Sequence, residues 1–374
     1  MKSRVVGAIL SSLVTICSIA QSSDQVAVAN VLNDYINGSS YTNTEQLRSA
    51  FSKDATLYLT LKEGPKRLSS EEYINFFKDK EKGSFSGRIG NILSITVDED
   101  IATAQAEIVV PKANILFTDL FLLKKINNQW KIISKTATKK KQENKGRILF
   151  MVSNADRYKG TDIKTGTSFS EIVLAYDTFV NAGYYVDFVS PKGGAIAVAY
   201  YDDEMGKQKE YFENSLFMNR LKYTKKPAEI NTSSYDAVYY VGGGAAMFDV
   251  PENEEIQTIA MSIYEKQKGV ISAVCHGTAG IVHLKTGDRN YLVAGKKISG
   301  WPEAYENKEK AYFKSFPFLI GETIERRGGI FTYGKKEDVH YVVDGRVITG
   351  QSNLTSEVVA REVISHLEKR GEKL

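Results

Sequence analysis

Two different patterns of apolar and polar positions divide the 374-residue chain. In the first part, alternating apolar and polar positions predict long strands, and Asn127 and Asn128 predict a hairpin turn between the last two of them. Helices are expected at 26–37 and 69–77, and strands at 55–61, 88–97, 102–110, 115–125 and 129–135. Helices followed by a long antiparallel meander predict an α+β domain with a curved sheet.

After residue 146 the pattern changes to almost wholly apolar strands that alternate with helices. Strands are expected at 147–152, 184–189, 236–241 and 270–274, and helices at 168–181 and 252–268. This alternation predicts an α/β domain with a doubly wound parallel sheet that is covered on both faces. Ligands of such sheets bind at the carboxyl ends of strands, where Gly242, Gly243, Gly244 and Cys275 fall.

A charged stretch at 138–145, without an apolar period, separates the two patterns. A chain of 374 residues is also longer than one ordinary core, which favours two domains. We therefore predict a smaller α+β domain at 25–140, a linker at 141–146 and an α/β domain at 147–374.

The N-terminus has the features of a secretory signal. Lys2 and Arg4 precede an apolar run from Val5 to Ile19, and Ser18-Ile19-Ala20 is a small-x-small cleavage site. We predict a signal peptide at 1–20 and export to the periplasm or the cell exterior. A membrane anchor is the alternative, but hydroxyl side chains interrupt the run and its length falls short of a bilayer span.

Charge and cysteine content limit the partners and the covalent bonds that the chain can have. The formal charge of +4 falls by two when Lys2 and Arg4 leave with the signal, and residues of both signs are interspersed, so no nucleic-acid partner is indicated. Cleavage also removes Cys17, which leaves Cys275 as the one cysteine of the mature chain and excludes an internal disulfide. A lone thiol in an oxidising compartment calls for a functional reason.

Cys275 ends a predicted strand within the segment AVCHGTAG, whose small residues let the chain reverse into a helix. This is the strand-turn-helix pattern of a nucleophile elbow, in which strained backbone holds the side chain clear of the sheet. The positive end of the following helix is expected to lower the pKa of Cys275 and populate the thiolate. The alternative is a buried, inert cysteine, but the elbow, the adjacent histidine and the lone thiol favour a nucleophile.

Motifs in a characteristic order accompany the AVCHG elbow: NAGYYVDFVSPKGG after the first helix, VGGG after the third strand, and GRVITGQS near the end. Together they resemble the ThiJ/PfpI superfamily of the class I glutamine amidotransferase-like fold, from about Lys145 to Leu367. The insertions and the segment ISGWPEAYE look most similar to its chaperone and glyoxalase branch, whose members convert methylglyoxal to lactate without a cofactor. Residues 195–203 depart from the family's usual continuation, which leaves the substrate open. The pattern at 25–140 resembles the SnoaL-like cone fold, in its lumazine-binding branch.

The resemblance implies catalytic positions around the cysteine. The family's glutamate on the first helix corresponds to Glu171, a candidate for proton transfer, although Ser168-x-x-Glu171 is also a capping box. His276 would act as an acid or base beside the sulfur. In the glyoxalase branch a carboxylate pairs with this histidine; Glu306 is the nearest match, and Glu303 competes with it.

Backbone N–H groups of His276 and of Gly243 or Gly244 would form an oxyanion hole, although a tight turn at the strand end needs the same glycines. We expect no metal site, because His283 and His366 lie on predicted helices without partners at metal-ligand spacing, and His340 lies inside a predicted strand. The resemblance implies that no cofactor is needed.

The leading hypothesis is a cofactor-independent cysteine enzyme that acts on small reactive carbonyls, a glyoxalase of the methylglyoxal-to-lactate type, or D-lactate dehydratase-type lyase. Two alternatives stay open: a cysteine amidase or peptidase, and a non-catalytic stress chaperone or redox sensor. The expected partner is a small carbonyl substrate, with no nucleic acid and no membrane after signal cleavage. For the N-terminal domain, fold analogy suggests a pocket for a small ligand or a surface that forms a homodimer.

Overall fold

The computed structural model describes residues 17–18, 21–61 and 63–371. The predicted signal peptide, 1–20, lies outside the described residues except for β1 (Cys17–Ser18), which pairs antiparallel with residues 197–198. Within the described ranges, no helix combines the length and the apolar character needed to cross a membrane.

The N-terminal domain is a six-stranded mixed sheet with helices packed on one face. Its elements are α1 (Ser23–Ser40), α2 (Thr44–Ala50), β2 (Phe51–Leu61), β3 (Gly64–Ser69), α3 (Ser70–Ile74), β4 (Ile89–Asp98), β5 (Ile101–Val110), β6 (Ile115–Ile126) and β7 (Gln129–Lys141). The strand order is β3-β2-β7-β6-β5-β4, antiparallel except between β2 and β7. Apolar side chains of α1, among them Val28, Leu32 and Ile36, are buried in the core beside the sheet.

Local sequence signals in this domain behave as predicted. Ser69 and Glu72 form a reciprocal capping box that starts α3. Asn127 and Asn128 both adopt the left-handed conformation, with φ of 49° and 61°, that a two-residue hairpin between β6 and β7 requires. The α+β meander is therefore confirmed, with α2 and β3 added to it.

The linker is shorter than its charged pattern indicated. β7 continues through Lys139, Lys140 and Lys141, which pair with residues 115–117 of β6, so the connection between the two sheets shrinks to 142–145. The three lysines are exposed, and β6 extends far enough to pair with their backbone. The charged stretch at 138–145 is thus partly strand, because a solvated strand can carry charge on both of its faces.

The C-terminal domain is a doubly wound α/β structure, as predicted. Its strands are β8 (Gly146–Met151), β9 (Thr167–Ser168), β10 (Tyr184–Val189), β11 (Ala197–Ala199), β12 (Ala237–Tyr240), β13 (Val270–Val274), β14 (Lys297–Ser299), β15 (Ile330–Thr332), β16 (Tyr341–Asp344) and β17 (Val347–Gly350). Its helices are α4 (Phe169–Asn181), α5 (Gly206–Glu213), α6 (Ser215–Lys222), α7 (Glu254–Glu265), α8 (Ala311–Lys314), α9 (Ile320–Arg326) and α10 (Ser356–Gly371).

The main sheet has the order β10-β8-β12-β13-β17-β16 and is parallel except for β16. Helices α4 and α10 bury one face of it, and α7 buries the other. The order reverses between β8 and β12, which is the switch point where such sheets bind ligands. Gly242 and Cys275 follow β12 and β13 closely at this edge.

The two domains meet through polar contacts between β4, β5, β10 and α6. The side-chain amide of Asn91 donates to Asp187 at 2.8 Å, and that of Asn219 donates to the carbonyl of residue 93 at 2.8 Å. Arg220 pairs with Glu107 at 3.1 Å. Hydrogen bonds and charge therefore join the domains, and their partners are largely shielded from solvent.

Candidate active site

Cys275 sits on a sharp turn at the end of β13. Its backbone adopts the left-handed conformation, with φ of 54°, which non-glycine residues rarely adopt and which costs on the order of 1–3 kcal/mol. Glycine at 277 is required for this turn, because a Cβ atom there would overlap the carbonyl of Tyr240. The strained elbow predicted from the sequence is thus present, and Cys275 keeps 9% of its surface exposed.

The sulfur of Cys275 is surrounded by groups that can exchange or donate protons. Nδ1 of His276 lies 3.5 Å from it. The backbone N–H groups of His276 and Gly243 hydrogen-bond to the sulfur, and the carboxyl of Glu171 forms a further hydrogen bond with it. The structure therefore brings four of the sequence-predicted groups to one atom.

Glu171 lies in the first turn of α4 and is 2% exposed. Its Oε2 atom accepts a hydrogen bond from the backbone N–H of Gly242 at 2.7 Å. Only half of the alternative capping box forms: Ser168 accepts from the Glu171 N–H at 3.5 Å, but its own N–H donates to the Gly242 carbonyl. The carboxyl thus points to the glycine-rich turn and the sulfur instead of closing the helix cap.

The pKa of Glu171 is raised to about 7. Burial is the largest cause, and it outweighs the hydrogen bonds from Gly242, Cys275 and Ser168, which act in the opposite direction. A carboxyl with this pKa is divided between its acid and base forms near neutral pH, as a group that moves protons must be.

The pKa of Cys275 itself shifts opposite to the expectation. Burial raises it well above its ordinary value, the Glu171 carboxylate raises it further, and the N–H groups of His276 and Gly243 offset only part of this. The expected α-helix is also absent, since residues 275–281 form a short 3₁₀ helix. The groups placed to take the proton of the thiol are the Glu171 carboxyl and Nδ1 of His276.

A second carboxylate orients His276. Nε2 of its ring lies 2.8 Å from Oε1 of Glu306, whose Oε2 accepts from the Tyr312 hydroxyl at 2.9 Å. Burial acts to raise the pKa of Glu306, but hydrogen bonds from His276, Tyr312 and Trp301 prevail and lower it. An ionised Glu306 keeps the proton on Nε2, which leaves Nδ1 free to accept a proton from the sulfur.

Glu303, the competing candidate, lies elsewhere. Its Oε1 accepts from the N–H of Gly321 at 2.7 Å, at the start of α9. Glu303 is the first residue of the short 3₁₀ turn Glu303–Tyr305 and Glu306 follows the turn, so their side chains meet different neighbours. The structure thus places Glu306, and not Glu303, against the histidine.

The two glycines proposed for the oxyanion hole differ in their positions. Gly243 has φ of 91° and directs its N–H to the sulfur of Cys275. A Cβ atom at Gly244 would overlap the hydroxyl of Tyr158, so this glycine permits close approach of an aromatic ring. Gly243 and His276 are thus the pair with N–H groups at the sulfur.

Sequence reasoning missed three tyrosines near the site: Tyr158, Tyr200 and Tyr312. None lies in a recognised motif, and tyrosine is too common at helix and strand ends for its position to have signalled a role. In the described part of the chain, no cluster of three or more histidine, cysteine, aspartate or glutamate side chains could hold a metal ion.

Comparisons with known proteins find matches to both parts of the chain. The DJ-1/PfpI family model matches residues 163–366, and the model described as "Putative lumazine-binding" matches residues 23–137. Glyoxalase 3 of Candida albicans is 30% identical over 239 residues, 59% of this chain and 98% of that protein. Glutathione-independent glyoxalase HSP31 of Saccharomyces cerevisiae is 31% identical over 216 residues, 54% of this chain and 90% of that protein. The crystal structure of glyoxalase III from Candida albicans superposes with a TM-score of 0.55 at 27% identity, covering 60% of this chain and 98% of that one.

Proposed function

Because the chain belongs to the DJ-1/PfpI family, we propose that it is a cofactor-independent glyoxalase that converts methylglyoxal to lactate. One observation carries the proposal: the sulfur of Cys275 contacts both the carboxyl of Glu171 and the ring of His276, whose far nitrogen is held by Glu306. A nucleophile, two proton carriers and an orienting carboxylate are what an aldehyde-to-acid isomerisation through an enediolate needs.

In the first step, the sulfur adds to the aldehyde carbon while its proton passes to Nδ1 of His276 or to Glu171. The aldehyde oxygen gains negative charge and is stabilised by the backbone N–H groups of His276 and Gly243. Protonation of this oxygen gives a neutral hemithioacetal. Glu171 is the better placed base for the next step, because its pKa lies near neutrality and its carboxyl lies against the sulfur.

Glu171 then removes the hydrogen of the former aldehyde carbon as a proton, which gives an enediolate. Return of this proton to the neighbouring carbon, with transfer of the hydroxyl proton from the first oxygen to the second, produces a 2-hydroxy thioester on Cys275. Water, deprotonated by His276, attacks the thioester, releases lactate and restores the thiol. The net reaction is methylglyoxal plus water to lactate, in which one carbon is oxidised and its neighbour reduced, so no external oxidant or cofactor is needed.

The test is turnover of methylglyoxal by the purified chain without glutathione, with lactate as the measured product. We expect turnover by the wild type and by Glu303→Gln, which alters a nearby carboxylate away from the sulfur. Cys275→Ala should lose activity by at least three orders of magnitude. Equal lactate formation by wild type and Cys275→Ala would overturn the proposal, as would no lactate from the wild type.

The pairing of His276 with Glu306 also favours a second candidate, an amidase or peptidase, since a cysteine, a histidine and a carboxylate serve acyl transfer equally well. This function predicts that amide or ester substrates acylate Cys275. Mass spectrometry of the intact chain after brief exposure to such substrates distinguishes the amidase or peptidase from the glyoxalase. Only the amidase or peptidase would form an acyl-enzyme from an amide.

We further propose that the enzyme works after export and that its product is the D enantiomer of lactate. The N-terminal pattern of Lys2, Arg4 and the apolar run to Ile19 supports export. Chiral analysis of the lactate and fractionation of the producing cells test the two statements separately. A stress role and a homodimer formed through the N-terminal domain remain proposals on family resemblance alone.

A further inference from the structure

The turn after β12 contains three consecutive glycines, Gly242, Gly243 and Gly244. It lies against the nucleophile, because a Cβ atom at Gly242 would approach the Cβ atom of Cys275 to 2.9 Å. A run of glycines has no side chains that restrict its backbone, and Gly243 already has φ of 91°. Rotation of one peptide in this run would turn an N–H group away from the reacting groups. The turn must therefore be held by residues outside it.

Asp249 attaches the far end of this segment to the chain that follows β8. It lies two residues after the 3₁₀ helix Gly244–Met247. Its Oδ2 atom accepts from the backbone N–H of Asn154 at 2.9 Å, and its Oδ1 atom accepts from the hydroxyl of Ser153. The same hydroxyl lies 3.0 Å from the carbonyl oxygen of Ala245, inside the 3₁₀ helix. Two points of the glycine segment are thus bound to the end of β8, the neighbour of β12 in the sheet.

Ser153 is itself held in place. It is 1% exposed, its N–H donates to the hydroxyl of Thr167 at 3.3 Å, and its hydroxyl oxygen accepts from the N–H of Ala155 at 3.0 Å. The hydroxyl has one hydrogen, and both Asp249 and the carbonyl of Ala245 lie within reach of it. Ser153 therefore joins the carboxylate and the 3₁₀ helix at one fixed point.

The first residue of the turn is held differently, by a group that changes during the reaction. The N–H of Gly242 donates to Oε2 of Glu171 at 2.7 Å. In the proposed reaction Glu171 takes up a proton, and a neutral carboxylic acid is a weaker acceptor than a carboxylate. The turn would loosen at the step in which Glu171 acts if its other end were not held independently.

We propose that Asp249, together with the hydroxyl of Ser153, is a positioning residue that keeps the glycine turn closed on Glu171 and Cys275 throughout the reaction. Both oxygens of the Asp249 carboxylate are engaged by the end of β8. The side chain thus acts through the turn and not on the substrate. The inference rests on the proposed function and identifies what holds its site together.

The informative variants are Asp249→Ala and Asp249→Asn. Alanine removes both acceptors, whereas asparagine can accept from the N–H of Asn154 and donate its amide hydrogen to the hydroxyl of Ser153. We expect kcat for methylglyoxal to fall about 10- to 100-fold in Asp249→Ala with little change in KM, and to stay within about threefold of the wild type in Asp249→Asn. Ser153→Ala should cause a smaller loss, and adding it to Asp249→Ala should cost little more.

A second measurement does not depend on turnover. The hydrogen bond from Gly242 acts to lower the pKa of Glu171, so a loosened turn should raise that pKa. The alkylation of Cys275 by iodoacetamide is therefore followed as a function of pH. In Asp249→Ala its inflection should move upward from about 7 by about 0.5–1 pH unit, and in Asp249→Asn it should stay in place.

Ser272→Ala is the control for a general loss of stability. It removes a fully buried hydroxyl that donates to the carbonyl of Val238 at 2.8 Å, between β13 and β12 of the same sheet. We expect it to lower the Tm, as Asp249→Ala does, and to leave both kcat and the alkylation inflection unchanged.

The outcomes are distinguishable. If the wild type makes no lactate but the inflection moves only in Asp249→Ala, the glyoxalase proposal fails and the role of Asp249 stands. If the wild type makes lactate but Asp249→Ala matches Ser272→Ala in kcat and in the inflection, the role of Asp249 is overturned and the glyoxalase stands. Equal losses in Asp249→Ala and Asp249→Asn would also overturn it. If Asp249→Ala does not fold, Ser153→Ala takes its place, and an unmoved inflection in that variant overturns the inference.

Discussion

His276 directs its Nε2 atom at Oε1 of Glu306, 2.8 Å away, while its Nδ1 atom lies 3.5 Å from the sulfur of Cys275. The two ring nitrogens thus have separate tasks, one structural and one chemical. Loss of the carboxylate charge would free the ring to rotate and to exchange its tautomer. The first prediction concerns that charge.

Glu306→Gln should lower kcat/KM for methylglyoxal by about 10²- to 10⁴-fold, because the amide cannot stabilise the positively charged ring that forms when His276 takes a proton. Steady-state kinetics at neutral pH measures this. Glu303→Gln is the matched control, since its amide oxygen can still accept from Gly321, and it should stay within about twofold of the wild type. Similar losses in both variants would argue against a specific role for Glu306.

The second prediction concerns the pH at which the sulfur reacts. With one proton shared between Cys275 and Glu171, alkylation by iodoacetamide should rise through an apparent pKa of about 7, the pKa of the carboxyl. In Glu171→Gln this inflection should disappear, and reactivity should rise only at higher pH, because burial still disfavours the thiolate. An unchanged inflection near pH 7 in Glu171→Gln would contradict the assignment of this inflection to the carboxyl.

The third prediction concerns the turn that carries the nucleophile. Gly277→Ala places a methyl group against the backbone of Tyr240, which cannot move aside without disturbing β12. We expect the free energy of unfolding to fall by about 1–3 kcal/mol, together with most of the activity. Gly206→Ala, at an open position that starts α5, should leave stability unchanged or slightly raised. Chemical denaturation compares the two variants, and equal stability would contradict the packing argument.

The fourth prediction concerns Asp187, which is ion-paired with Arg147 and accepts from Tyr235 at 2.9 Å and Asn91 at 2.8 Å. Burial acts to raise its pKa, but Arg147 and Lys225 prevail and lower it. Asp187→Asn should therefore reduce the free energy of unfolding by about 3–5 kcal/mol at neutral pH, since Arg147 stays buried without its anion.

The sign of the pH dependence follows from this lowered pKa. The stabilisation by Asp187 is complete above the pKa of the unfolded chain, about 4, and is lost as pH falls from there toward the lower folded value. The difference in stability between the wild type and Asp187→Asn should thus shrink below about pH 4 in denaturation experiments. Asn91→Ala, which removes one neutral donor, should cost only about 1 kcal/mol and should not show this trend.

The sequence predicted the two domains, the parallel sheet and the neighbourhood of Cys275, because strand periodicity and the elbow motif are local properties. It could not show how deeply the sulfur is buried, since that depends on elements that meet only in the folded chain: the first turn of α4, which carries Glu171, and the glycine turn after β12. The resulting rise in the pKa of Cys275 reversed the expectation drawn from a helix dipole.

The choice between Glu303 and Glu306 was undecidable for a similar reason. The two lie three residues apart on one short turn, and the contact that separates them comes from Gly321 in another element. The charge of the β7 lysines indicates their exposure to solvent but not their pairing, which depends on the backbone of β6. Long-range contacts therefore account for what pattern alone left open or misplaced.

The polar contacts between the domains have a consequence for anyone who wishes to express the catalytic half alone. Excision at the connection 142–145 would strip Asp187 of one donor and leave the guanidinium of Arg220 facing water without its acidic partner Glu107. The isolated fragment would expose the surface of β10 and α6 that the N-terminal domain covers in the intact chain. Compensating substitutions on that surface would be needed before the kinetics of the fragment could be compared with those of the intact chain.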